Sequence, residues 1–330
     1  IFLHNLFILK KFSLYMPVLN LIRFVFASCI ISFSAFATEI ITIATGSTSG
    51  LYYPSGGAIC RIFNLSSKNE TKCIVESTPG SEYNLNAVEG GLNNFAFVQS
   101  DELFTYLAEK KKRSEVSSIS AVFPLYTETF LLIASKNSGI TNFSEIKGKK
   151  INIGVDGSGV RNFTSQIMKF LALKTSDFKV ITETQAAVEH SLCNNIADAS
   201  IVIGGQPNKV VQNLIEQCGA RIIPLSPEFI QLTMEQNAFY SLATIPAGMY
   251  LGYTQPLQTL GTKALLVTSK YTSDENIYDI TNYIIKNFDS FKRYSPVTMQ
   301  NTVQTINPEM LQFPVNNASV RAFKDNIIKE

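Results

Sequence analysis

Histidine is almost missing from this 330-residue chain, which has two, and only His190 lies beyond residue 37. No two cysteines stand in a CxxC spacing, so neither half of the usual sulfur and imidazole zinc set is present, and neither a metal nor a cofactor is expected. An excess of one charge is missing as well. The chain carries 28 Lys and Arg against 26 Asp and Glu, a net charge of +2. Lys10, Lys11 and Arg23 are the only charges of the first 37 residues, so the remainder carries −1. That balance implies no basic face for nucleic acid, and no nucleic-acid partner is expected. Beyond residue 37 no apolar run reaches the ~18 residues of a membrane span, so that part reads as soluble.

Residues 1–37 are composed differently. Their few charges are basic, residues 21–36 form a long apolar run, and Ala35-Phe36-Ala37 precedes the first acid, Glu39. This is the layout of a secretory signal peptide cleaved after about Ala37. Met16 is a second candidate start, and an uncleaved membrane anchor is the rival reading. Export would place the remaining chain in an oxidising compartment, the periplasm. There the even set Cys60, Cys73, Cys193 and Cys218 favours two disulfides among three connectivities. Pairing Cys60 with Cys73 and Cys193 with Cys218 is preferred, because each pair flanks one helix-to-strand passage; four buried free thiols are the alternative.

Beyond the leader, short apolar strands alternate with helices of 3.6-residue apolar spacing. Strand 40–45 leads to helix 54–65, strand 73–76 to helix 81–88, and strand 95–99 to helix 101–111. The unit recurs when 151–155 leads through Gly157-Ser158-Gly159 into a helix carrying Phe163, Ile167, Phe170 and Leu171; further strands follow at 179–181, 199–203 and 221–224. Such alternation predicts an α/β fold whose mostly parallel sheets are flanked by helices. The extended segments AVFPLYTETFLLIAS (121–135) and GTKALLVTS (261–269) fit a chain that crosses between two lobes and returns. The division expected is 38–133 with 265–330 as lobe 1 and 134–264 as lobe 2, with a ligand cleft between them. Helices over 274–287 and 318–328 would pack back on the first lobe.

In open α/β sheets, ligands lie where strands end and helices begin, against unpaired amides that suit an anion. Three such junctions are rich in glycine and hydroxyls: Gly46-Ser47-Thr48-Ser49-Gly50, Ser77-Thr78-Pro79-Gly80-Ser81 and Asp156-Gly157-Ser158-Gly159. Each alone reads as a capped helix start; three of them point to a site. Enzyme motifs fail at named positions. Leu51 stands where a phosphate-cradling loop needs lysine, 154–159 reads GxxGxG, and Thr48 occupies the serine of a GxSxG elbow. Asp101 and Glu102 read as favourable charges in a first helical turn. A secreted serine hydrolase of a small ester or amide, acting through Ser47 or Ser158 with His190 as base, is the alternative function; a ligand-sensing periplasmic protein is a third.

The segments ATGSTSGLYYPSGGAICRIFN, CIVESTPGSEYNLNAVEGGLNNFAFVQSD, EIKGKKINIGVDGSGVRNF, SLCNNIADASIVIGGQPN, IPAGMYLG and KALLVTS follow one another in order. Together they resemble the TAXI family, the periplasmic solute receptors of TRAP transporters. That resemblance implies a type II periplasmic binding fold, two-lobed, closing on a small organic acid or amino acid such as glutamate, glutamine or a 2-oxoglutarate-like ligand. It implies delivery, as a monomer, to ion-coupled TRAP transporter membrane subunits without ATP, and the same cysteine pairing. Carried over position by position, the contacts would be Gly46, Ser47, Thr48 and Tyr52; Thr78, Gly80 and Ser81; Gln99, Ser100 and Asp101; Ser158, Gly159 and Arg161; and Gln206 with Pro207. Arg161 would clamp a ligand carboxylate. Ser49 stands where the family has glycine and Gln206 where it has histidine, two departures expected to line the pocket.

Overall fold

A computed structural model of the protein describes residues 39–67, 71–237 and 239–327. The expected signal peptide lies outside the described residues. The chain begins β1 (Ile40–Ala44), α1 (Tyr52–Ser66), β2 (Lys72–Glu76), α2 (Ser81–Glu89), β3 (Phe95–Gln99), α3 (Ser100–Lys112) and β4 (Ser120–Ala134). It continues through β5 (Lys150–Asn152), α4 (Gly159–Phe170), β6 (Lys179–Ile181), α5 (Gln185–Cys193), β7 (Ala199–Gly204), α6 (Lys209–Cys218), β8 (Arg221–Ile223), α7 (Pro227–Gln236) and β9 (Ser241–Ile245). It ends with β10 (Leu257–Thr268), α8 (Asp274–Lys286), α9 (Phe288–Tyr294) and α10 (Asn317–Ile327).

Helix starts follow from capping chemistry. Ser226 Oγ accepts from the Phe229 amide at 3.2 Å with Pro227 at the first helical position, and Asn208 Oδ1 accepts from the Val210 and Val211 amides. α3 places Asp101 and Glu102 in its first turn and Lys110, Lys111 and Lys112 in its last, as the helix dipole favours. β3, with the sequence FAFVQ, is buried on both faces. Phe95 and Phe97 meet α1, α8, α9 and α10 on one side, while Ala96 and Val98 meet α2 and α3 on the other. Burying each of these phenylalanines contributes roughly 2 kcal/mol.

The strands join in the order β2-β1-β3-β10-β4-β7-β5-β6, with β8 on β4 and β9 on β10. The triplets at the two ends are parallel, as expected. The centre is antiparallel, which makes the sheet a mixed one: among the described residues, every pairing of β4 or β10 with another strand is antiparallel. The reason is that the outgoing and returning strands pair directly with each other. Their ladder skips Leu125 and Val122, on either side of Pro124, whose ring nitrogen has no hydrogen to give. At ~3.3 Å per residue, the 15 residues of β4 span about 50 Å, enough to reach from the cluster around Phe97 and Phe123 to the cluster around Phe130 and Phe163.

Both preferred disulfides form, with Cα separations of 4.8 Å for Cys60–Cys73 and 5.1 Å for Cys193–Cys218. The first joins α1 to β2, a helix-to-strand passage. The second joins the last residues of α5 and α6 and encloses β7, so it ties helix to helix rather than flanking such a passage. Among the described residues, no helix is long and apolar enough to cross a membrane.

Candidate functional site

The loops after β1, β2 and β5, the ends of β3 and β7 and the middle of β4 enclose a cavity of about 510 Å³. Several helix starts face it: Leu51 and Tyr52 of α1, Gly80 and Ser81 of α2, Ser158 and Gly159 of α4, Thr184 and Gln185 of α5, and Asn208 just before α6. Of the residues expected from sequence, Gly46, Ser47, Thr48, Tyr52, Thr78, Gly80, Ser81, Gln99, Ser158 and Gly159 line it together.

Many of these side chains hold the frame. Thr78 Oγ1 lies 3.0 Å from the Thr45 carbonyl and 2.7 Å from Asn84 Oδ1. Ser81 Oγ accepts from the Gln99 amide at 3.1 Å, tying the start of α2 to the end of β3. Ser158 Oγ donates to the Val155 carbonyl at 2.7 Å and accepts from the Arg161 amide at 3.2 Å, the arrangement of a helix cap. Two glycines allow the close approach of the loops. Gly80, with φ of 128°, sits in a backbone region that other residues avoid, and a Cβ at Gly159 would overlap Gln99 Oε1. The Tyr83 amide donates to the Gly157 carbonyl at 3.2 Å across the same gap.

Five expected contacts lie outside the lining. Ser100 accepts from the Lys263 amide at 3.0 Å and shares a hydrogen bond with Thr262 at 2.9 Å. Asp101 is wholly buried and accepts from Thr262 Oγ1 at 2.8 Å and Tyr240 Oη at 3.2 Å. Arg161 pairs its Nη2 with Asp156 Oδ1 at 3.2 Å, while its Nη1 is buried without a hydrogen-bond partner. Gln206 donates to Thr129 Oγ1 at 2.8 Å, accepts from Tyr250 Oη, and precedes Pro207 through a cis peptide bond. The two departures from the family pattern therefore do not line the cavity: Gln206 is held by Thr129 and Tyr250, and the Ser49 hydroxyl turns to Ser47 at 2.9 Å.

Sequence reading missed Glu128 and Glu183. Glu128, in the middle of β4, lines the cavity at 5% exposure and accepts a 2.7 Å hydrogen bond from Tyr52 Oη. Its signal is visible in hindsight as the one acid inside the apolar run AVFPLYTETFLLIAS. Burial pushes its carboxyl up to about 7; the Asp101 charge adds to that, and hydrogen bonds from Tyr52 and Gln99 oppose it. Among the described residues, Glu183 and Asp156 are the other charged residues of the lining, and no Lys, Arg or His joins them. Asn152 lines the cavity too, and its Oδ1 holds the Gly154 and Glu183 amides at 3.1 and 3.0 Å. Behind the wall, burial raises the Asp101 carboxyl against the hydrogen bond from Thr262, and burial together with the Asp101 charge raises Glu102. Among the described residues, no group of three or more His, Cys, Asp or Glu could hold a metal ion.

Two solved structures share this fold. A Bordetella bronchiseptica RB50 protein is 16% identical, with 88% of this chain and 82% of that chain covered and a TM-score of 0.51. A candidate L-cystine ABC transporter of Listeria monocytogenes is 11% identical, with 79% and 95% covered and a TM-score of 0.50. At these identities the likeness is one of fold, an α/β architecture with a mixed sheet flanked by helices. Residues 43–326 match the NMT1-like family, and the chain belongs to it.

Proposed function

We propose that this protein is an exported solute-binding receptor that captures a small carboxylate, glutamate-, glutamine- or 2-oxoglutarate-like, and delivers it to an ion-coupled TRAP membrane permease. The observation that carries the receptor reading is the meeting of several helix starts on one cavity, which aims unpaired amides and partial positive charge at a single ligand. Fold likeness to the Listeria transporter protein supports a receptor in general, and the ordered series of TAXI-like segments supports the TRAP partner. Residues 38–133 with 265–330 and residues 134–264 act as two lobes, with β4 and β10 as the crossing strands that bend on closure.

The hydroxyls of the hydrolase alternative are otherwise engaged. Ser47 pairs with Ser49, Ser158 donates to Val155, and His190 lies beside Asn194 on α5. Mass spectrometry of small molecules released from natively purified protein tests the receptor reading: an unchanged carboxylate is expected, and a turnover product on incubation with it reverses the reading. The Listeria likeness also favours a second delivery route, an ATP-driven permease. Uptake by vesicles carrying the permease decides between the two, since collapse of the ion gradient should stop TRAP transport and ATP depletion should not.

In this reading Arg161 swings from the exposed Asp156 to clamp the carboxylate, a planar fork that lysine cannot copy. Arg161→Ala should weaken binding by roughly 2 to 5 kcal/mol in calorimetry, with Arg161→Lys recovering part of it. The melting temperature without ligand should barely move, because an ion pair to an exposed aspartate contributes little. Wild-type affinity in Arg161→Ala would remove the clamp.

A further inference from the structure

The cavity offers two kinds of group. Helix-start amides supply donors, and the side chains of Gln99, Glu128 and Glu183 supply acceptors beside them. The acceptors are only partly used. Glu128 takes hydrogen bonds from Tyr52 and Gln99, and among the described residues no lysine, arginine or histidine pairs with it. Gln99, 4% exposed, keeps its Oε1 buried without a donor, and so does Glu183 with its Oε2. A carboxylate taken out of water without a cation is costly, and so is an orphaned acceptor beside it. In a receptor both costs can be offset by the ligand. The group that offsets both is one that brings several N–H donors and a positive charge.

We infer that Glu128 and Gln99 form an ammonium subsite, so that the receptor takes an α-amino acid in preference to the 2-oxo acid of the same skeleton. This inference rests on the carboxylate-receptor reading and narrows its ligand class. An ammonium against Glu128 replaces water with a charge-assisted hydrogen bond and a direct ion pair, while Gln99 Oε1 accepts a second N–H. The helix-start amides that the ammonium leaves free then take the ligand carboxylate. A 2-oxo acid would set its carbonyl oxygen against the same acceptors, where it has nothing to donate. Asp101, packed behind Glu128, is already served by Thr262 and Tyr240 and does not compete for the ammonium.

The test is calorimetry on the full chain at pH 7.5 with the twenty L-amino acids and with 2-oxoglutarate, pyruvate and 4-methyl-2-oxopentanoate. At least one amino acid should bind, and L-glutamate, L-alanine or L-leucine, whichever binds tightest, should exceed its 2-oxo partner by 30-fold or more. Glu128→Gln keeps the shape and an acceptor for Tyr52 but removes the charge, and should bring that ratio down to within about threefold of one. A 2-oxo acid bound as tightly as its amino partner, or a ratio unchanged in Glu128→Gln, overturns the ammonium subsite and leaves the receptor reading standing. Binding of none of these acids to protein that is folded by circular dichroism overturns the carboxylate reading, and this inference with it.

Discussion

Asp101 and Glu128 are carboxylates buried to nearly the same degree, at 0% and 5% exposure, and burial raises both. Their surroundings are opposite. Asp101 stands at the start of α3, where Thr262 and Tyr240 point hydroxyls at it and backbone amides add to the set. Glu128 stands on the cavity wall with Tyr52 and Gln99 beside it. The first is a finished structural joint between α3, β10 and the segment after α7. The second is a joint with one side open. Burial alone therefore does not separate a structural acid from a ligand-binding one; the number of donors already committed to it does.

The largest test of this contrast is the pH dependence of stability without ligand. Glu128 moves from an ordinary 4.5 to about 7 on folding, so between those values the folded protein holds a proton that the unfolded chain has released. Stability is then greatest below about pH 4.5 for this group and falls as pH rises through 7, by roughly 3 kcal/mol in all. Asp101 and Glu102, also raised, act in the same direction. Urea unfolding at pH 5, 6.5 and 8 should show the decline, and Glu128→Gln should remove the Glu128 share of it. Equal slopes in the wild type and Glu128→Gln would mean that folding does not raise the Glu128 carboxyl, and the open side of the joint would be lost.

Next in size is truncation. Asp101→Ala leaves the hydroxyls of Thr262 and Tyr240 without their acceptor in a buried place and should cost about 2 to 3 kcal/mol at pH 7. Glu128→Gln should lose less than 0.5 kcal/mol of stability, roughly the scatter of neutral substitutions, or gain some, because Tyr52 still finds an oxygen and a buried charge is gone. If the two changes cost the same in urea unfolding at pH 7, the division between joint and subsite fails.

Sequence patterning made the repeated strand–loop–helix units readable, because each apolar strand and its capped helix carry their own local signals. It brought ten of the expected contacts to one cavity, all at the loop-to-helix junctions and adjoining strand ends where such signals are strongest. It did not show that Asp101 is buried: a first-turn acid reads as solvated until β10 brings Thr262 against it, some 160 residues later in the chain. Glu128 was hidden for a similar reason, since its cavity face depends on how β4 pairs with β10 and β7. β9 was missed because its alternation is shallow, three of its five residues being exposed, and it exists as a strand only by pairing with the start of β10. The Cys193–Cys218 pairing was expected for a helix-to-strand passage, whereas the packing of α5 on α6 creates it.

The smallest effect discriminates most finely between few donors and several. Tyr52→Phe removes the Tyr52 hydrogen bond from Glu128 and leaves the ring packed on Phe97, whose centroid lies 5.2 Å away. Thr262→Val removes one donor of several from Asp101 at nearly constant volume. Each should cost roughly 1 kcal/mol, the net worth of one hydrogen bond, so stability alone hardly separates them. Their titrations should differ. The Tyr52 hydrogen bond holds the Glu128 carboxyl down against burial, so its loss moves that carboxyl further up, and the pH at which stability declines shifts upward with it. In Thr262→Val the Asp101 carboxyl keeps Tyr240 and the backbone amides, so its shift should be the smaller one. Carboxyl titration followed by NMR reads both directly. A larger rise at Asp101 in Thr262→Val than at Glu128 in Tyr52→Phe would show that Asp101 leans more heavily on one donor than Glu128 does, and the open joint would then lie behind the cavity wall instead of on it.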